Sequence, residues 1–226
     1  MPTQEWLKNE FSYGYESGNI LSTNPDAVRA AEEKKCGGVY FNIFAKAVFP
    51  YLKPESIVLE LGPGKGSWSR AILEFLPQGQ LHTIDFQDVV PWLQPGNYQG
   101  RLCCHQVQDN SFSAVPDDYF DFFWSFGVLC HQNIEQIKVI LKNSFGKMKK
   151  GGVAVHQYGD WDKLNQFGWV QGQVPTQFQN LPDDQIWWPR NNQKIMSQAA
   201  IDAGWIVIES DLNLIQRDSV IVFKKW

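Results

Sequence analysis

Cysteine is scarce in this chain, charge is sparse, and no long apolar run exists. The 226 residues include only four cysteines, Cys36, Cys103, Cys104 and Cys130. None stands in a C-x-x-C pair, so the usual zinc-ribbon and thiol-redox spacings are excluded. Small buried thiols in a reducing, cytoplasmic compartment are the expectation. Charged residues make up 19% of the chain, with a net charge of −4 and no basic stripe. Phosphate backbones demand a cationic face, so RNA and DNA are not expected as partners. No stretch reaches the roughly 18 apolar residues of a membrane span. Residues 1–10 contain acids and lack the apolar core of a secretory leader, so neither a leader nor a membrane partner is expected. No repeats or low-complexity tracts stand out.

Hydrophobic residues make up 43% of the chain, enough at this length for one domain with a sizeable core. The most informative stretch is Ile57-Val58-Leu59-Glu60-Leu61-Gly62-Pro63-Gly64-Lys65-Gly66-Ser67. It reads as a buried parallel strand, a glycine turn and the start of a helix reaching about Leu76. Bare glycine backbone lets a ligand approach closely, and the helix points its free N–H groups at that ligand. A dinucleotide-binding loop, G-x-G-x-x-G, asks for its third glycine three positions after the second. Here Gly66 comes two positions after Gly64, and Ser67 holds the expected place. With Glu60 ahead of it, E-L-G-P-G-K-G resembles the S-adenosylmethionine (SAM) loop of class I methyltransferases.

Three later positions agree with that resemblance. Leu81 to Ile84 forms a second apolar run ending in Asp85 and Phe86, and Asp85 follows Gly62 by 23 residues, leaving room for one helix. A carboxylate at that strand end accepts hydrogen bonds from both hydroxyls of an adenosine ribose. A third strand, Leu102 to Val107, leads to Asp109 and Asn110. The resemblance implies that Asp109 receives the adenine amine, with Asn110 as helper or as turn residue. A fourth strand begins in Tyr119-Phe120-Asp121-Phe122-Phe123-Trp124-Ser125-Phe126. It resembles the family's fourth strand, which implies that Ser125, Phe126 and their neighbours line the methionine end of the cofactor. A helix with Ile134, Ile137, Leu141 and Met148 at helical spacing then runs to Lys149-Lys150-Gly151-Gly152, and Gly152 to Tyr158 reads as a fifth strand.

The resemblance is specific over residues 57–158 and holds in outline to 226. It implies an α/β fold: a doubly wound, mostly parallel seven-stranded sheet with an antiparallel C-terminal strand and helices on both faces. Gly204 to Glu209 and Ser219 to Phe223 are joined by too few residues for a helical crossover, so they are expected to pair antiparallel. The layout is a single methyltransferase domain over 1–226. It has an N-terminal helical cover (1–55), a SAM-binding core (56–158), an aromatic-rich substrate cap (159–192) and a C-terminal helix with the strand pair (193–226). In the cover, Pro25 is expected at the first position of a helix over Asp26 to Lys35. A second helix spans Val39 to Leu52, and Tyr13 and Tyr15 belong to the cover.

The expected activity is transfer of a methyl group from SAM, leaving S-adenosylhomocysteine (SAH), to an oxygen or nitrogen of a small molecule such as a specialised metabolite. If the acceptor is a hydroxyl, a base is needed, and the candidates are His131, then His156, then Asp160. The acceptor would meet Tyr13, Tyr158 and the tryptophans Trp161, Trp169, Trp187 and Trp188, whose faces pack flat or ring-shaped molecules. Arg190 either pairs with an acceptor anion or binds Asp183 or Asp184 nearby. The aspartates near 160–184 match no metal-binding spacing, and no metal is expected. Two other readings stay open: an NAD-dependent oxidoreductase on the same type of sheet, and a non-catalytic SAM-binding partner protein. The residues choose neither oxygen nor nitrogen, nor an oligomeric state.

Overall fold

A computed structural model describes residues 3–226; the first two residues of the expected N-terminal cover lie outside it. Among the described residues, seven strands form one sheet: β1 (Ile57–Leu61), β2 (Gln80–Asp85), β3 (Leu102–Gln106), β4 (Phe120–Ser125), β5 (Met148–Gly159), β6 (Ile206–Glu209) and β7 (Asp218–Lys224). Their order is β3-β2-β1-β4-β5-β7-β6. Neighbours from β3 to β5 run parallel, whereas β7 runs antiparallel to both β5 and β6. The sheet and its reversed last strand are as the sequence implied. Strand order reverses between β1 and β4, which opens a crevice at their carboxyl ends.

The apolar runs are continuous because the central strands are covered on both faces. Val58, Phe122 and Trp124 enter one core cluster with Trp68 and Ile72, while Leu59, Phe123 and Ala154 enter the other with Ile137 and Leu141. Alternate residues of a strand point to opposite faces. A third cluster, built on Leu164, Trp169, Phe178, Ile186 and Trp188, lies under the long segment after β5.

Eight α-helical segments flank the sheet among the described residues: α1 (Gln4–Glu10), α2 (Ala27–Cys36), α3 (Tyr40–Ile43), α4 (Ser67–Leu73), α5 (Val90–Leu93), α6 (Ile134–Phe145), α7 (Trp161–Phe167) and α8 (Gln193–Asp202). Several boundaries differ from expectation. Asp26, not Pro25, starts α2: its carboxylate accepts the Arg29 N–H at 2.8 Å, so Pro25 lies before the cap. The helix expected over Val39 to Leu52 continues past α3 as a π turn (Phe44–Val48) and a 3-10 turn (Phe49–Tyr51) that contains Pro50. Met148 keeps helical spacing but lies in β5 opposite Phe120, because α6 ends at Gly146.

Candidate active site

A cavity of about 390 Å³ opens at the carboxyl ends of β1, β2 and β4, within the range of small-ligand sites. One end is made of backbone. Gly62, Gly64 and Gly66 have φ of 69°, 53° and 81°, a left-handed conformation that side chains resist. A Cβ on Gly62 would strike Val128, and one on Gly64 would strike the Tyr15 carbonyl oxygen. That same carbonyl accepts the Lys65 N–H at 2.8 Å, so the N-terminal cover docks directly on the glycine turn. Gly62, Gly64, Asp85, Phe86, Asn110 and Phe126 line the cavity. Asp85 accepts the Gln87 N–H at 2.8 Å, and burial pushes its carboxyl up to about 6. At neutral pH it is an anion able to accept from a diol. The left-handed turn, close backbone and ionised Asp85 fit a nucleoside-bearing cofactor.

Four residues expected at the cofactor stand behind or beside the cavity wall. Gly66 caps the start of α4. Glu60 is buried beneath the turn, where the Ser69 hydroxyl donates to it at 2.5 Å and burial raises its pKa to about 7. Ser125 points to the opposite face of the sheet, bonded to His156 at 2.7 Å. Asp109 is exposed, its carboxylate accepting the Ser111 N–H at 2.9 Å in a turn of its own. Its neighbour Asn110 is the one in the cavity wall.

The other end is made of side chains. His131 lines it, donating from Nδ1 to the Trp187 carbonyl at 2.9 Å, and burial holds its pKa down at about 4. Trp187 and Trp188 form the wall beside it, and the half-exposed Tyr13 forms the rim.

The remaining candidates lie outside the cavity lining. Strand alternation turns Gln157 into the cavity, while His156 and Tyr158 face the opposite side. His156 sits against Phe123 and Phe223, with burial lowering its pKa to about 3. Tyr158 donates to the Ser210 carbonyl at 3.3 Å. Asp160 caps α7, accepting from the N–H groups of Asp162 and Lys163 and from the Ser219 hydroxyl. Trp161 donates to the Trp188 carbonyl at 3.1 Å and Trp169 to Asn165 at 2.8 Å, so both support the wall from behind. Arg190 binds Asp183 at 2.6 Å and stacks on Trp161 outside the cavity.

The arginine in the cavity wall is Arg217. Its Nε and Nη2 donate to both oxygens of Asp218 at 2.9 and 2.8 Å, Nη1 donates to the Gly172 carbonyl, and its plane lies 4.5 Å from the Trp188 ring. Gln157 donates to Asp218 at 2.8 Å and accepts the Gly127 N–H at 2.8 Å, which links this wall to the end of β4. Glu32 and Lys35 of α2 also line the cavity. An Arg-Asp pair opening the last strand is the one sequence signal for Arg217; Glu32 and Lys35 are ordinary helix residues in the sequence and carry none.

A family model described as a methyltransferase domain matches residues 39–216. A 71-residue stretch is 34% identical to the mitochondrial rRNA methyltransferase 2 of Caenorhabditis elegans, 31% of this chain and 33% of that one, so the chain spans about a third of that relative's length. The fold is similar to that of the Pyrococcus horikoshii protein PH0226, with a TM-score of 0.66 at 10% identity over 96% of this chain and 99% of that one. It is also similar to the 1,6-didemethyltoxoflavin-N1-methyltransferase of Burkholderia thailandensis, solved with SAH bound, at a TM-score of 0.55 and 12% identity over 76% and 71% of the two chains. The family match covers most of the chain's length, and the chain belongs to the class I SAM-dependent methyltransferases.

Proposed function

We propose that the acceptor is a small, largely planar molecule methylated on oxygen or nitrogen, bound between the cofactor and the Trp187–Trp188 wall. The observation that carries this reading is continuity: one cavity holds Asp85 and runs on to His131, Trp187 and Arg217, with α1 and residues 13–15 in its wall. Aromatic walls with a few amides, Gln132, Gln157 and Gln173, suit a flat molecule with few polar groups. An RNA acceptor would need an open cationic surface, and this chain has a net charge of −4. Four free cysteines support a cytoplasmic setting. The family match replaces the dinucleotide reading.

SAM supplies an already activated methyl group. The protein's part is to align acceptor and methyl donor for in-line displacement and to keep water out, which is worth roughly 7–11 kcal/mol of barrier. The test has two arms. Calorimetric titration with SAH, with NADH as control, should show binding that Asp85→Ala weakens strongly. Incubation of methyl-labelled SAM with a cell extract split into small-molecule and RNA fractions should then label only the small molecules. Label in the RNA fraction would overturn the acceptor class, and SAH binding with no label in either fraction would favour the non-catalytic alternative.

A further inference from the structure

Methyl transfer to a protic acceptor X–H forms the bond between X and the methyl carbon. It breaks the methyl carbon–sulfur bond, whose electron pair stays on sulfur. The proton of X–H must also leave, and the cavity offers few groups to take it. The ring of His131 is a weak base, held at about 4 by burial, with Nδ1–H committed to the Trp187 carbonyl. Asp85 stands at the ribose end, and Glu10 sits on the exposed rim. Asp218 is closed off by Arg217. Among the described residues, the carboxylate left inside the wall is Glu32 on α2.

Glu32 is already wired to a hydroxyl. Tyr15 Oη donates to Glu32 Oε2, and Lys35 Nζ donates to both Glu32 oxygens at 3.3 Å. The Tyr15 backbone carbonyl accepts from Lys65 in the glycine turn, so the residue spans from the cofactor loop to α2. Tyr15 lines the same cavity as Cys130 and Arg217. Burial, reinforced by Glu32, pushes the Tyr15 pKa far above the usual phenol range, so the hydroxyl keeps its proton in the resting enzyme. A hydroxyl that donates to a carboxylate still has lone pairs to offer a second donor.

We propose that Tyr15 and Glu32 form the proton exit of this methyltransferase: the X–H proton passes to Tyr15 Oη while the Tyr15 proton passes to Glu32 Oε2. The inference rests on the small-molecule reading above. Charge balances, because the sulfonium and the Glu32 carboxylate both end neutral. The Glu32 side chain is 18% exposed, which gives the proton a way to water. Tyr15 is the catalytic residue; Glu32 acts through it, holding its hydroxyl and receiving its proton. Such a pair selects an acceptor that arrives with its proton still on, a weakly acidic phenol or alcohol.

The test compares wild type, Tyr15→Phe and Glu32→Gln on two probes. At one fixed pH, phenol keeps its proton and 4-nitrophenol has largely lost it. SAH affinity, read by calorimetry, should stay within about threefold of wild type in both variants, since neither change removes a donor to the cofactor. Phenol affinity for the SAH complex should fall about fivefold in Tyr15→Phe, the loss of one neutral hydrogen bond. Methyl transfer to phenol should fall roughly 100-fold in each variant, the scale of a general base, and transfer to 4-nitrophenol, which brings no proton to remove, should fall at least about tenfold less. Equal losses on both probes would mark a structural role and overturn the proposal. So would unchanged phenol rates, or a wild type that binds SAH but neither binds nor methylates phenol. A wild type that fails to bind SAH would strike the cofactor assignment, a separate and recognisable failure.

Discussion

The two ends of the cavity are built by different means. The cofactor end is one short stretch of backbone, residues 61–66, backed by a strand-end carboxylate. The acceptor end is made of side chains from segments far apart in the chain: residues 13–15, α2, the tryptophans near 187 and Arg217. The first end depends on conformation, because only glycine accepts those dihedrals beside Val128 and Tyr15. The second depends on pairing: Arg217 on Asp218, Gln157 between Asp218 and Gly127, Tyr15 on Glu32. A backbone site tolerates little substitution, whereas a paired wall changes its ligand by exchanging partners. The halves meet where the Tyr15 carbonyl lies over Gly64 and accepts the Lys65 N–H.

Breaking that contact should have the largest effect. Gly64→Ala places a methyl group against the Tyr15 carbonyl at a left-handed φ, and SAH affinity should drop by roughly 100-fold or more in a calorimetric titration. Next comes the carboxylate beneath the turn. Burial raises the Glu60 pKa to about 7 from its ordinary 4.5, so the folded state binds its proton more tightly than the unfolded one. Its contribution is most favourable below about 4.5 and is lost as pH rises through 7. The advantage of Glu60→Gln over wild type in thermal melts should therefore grow by on the order of 2 kcal/mol from pH 5 to pH 8. Asp85 sharpens the cofactor half by titration. With its carboxyl near 6, SAH affinity should fall about tenfold from pH 7 to pH 5 as the acceptor oxygen is protonated, and Asp85→Asn should flatten that slope. The smallest effect belongs to Arg190. Its partly exposed pair with Asp183 lies outside the cavity, so Arg190→Ala should cost under about 1 kcal/mol and leave SAH affinity and phenol binding unchanged.

The same division explains what was legible in the sequence. A backbone site is local, so the glycine turn, Asp85 and the sheet order follow from a few contiguous stretches. The acceptor wall depends on strand pairing and face. His156, Tyr158 and Asp160 sit at the carboxyl end of β5, where ligands are expected, yet β7 covers that edge and alternation turns Gln157 inward in their place. Trp161 and Trp169 carry the right chemistry, but their indole N–H groups bond to Trp188 and Asn165 and brace the wall. Asp109 had the right position in the chain, and a local turn with Ser111 took its carboxylate away. Arg217 lies 155 residues beyond Gly62, and its one local signal, the Arg217-Asp218 pair, points to the cavity only once β7 is known to reverse.

That reversal also orders events during synthesis. Because β7 runs against β5, its first residues meet the ligand edge, and Arg217, just ahead of it, reaches the pocket after the other six strands of the sheet have been made. A nascent chain carries its glycine turn long before it carries the acceptor wall. Until β7 pairs with β5, Gln157 lacks Asp218 and Trp188 lacks the guanidinium stacked on it. The pocket thus stays open on one side until the seventh strand of the sheet is made, and this wall closes later in synthesis than the glycine turn.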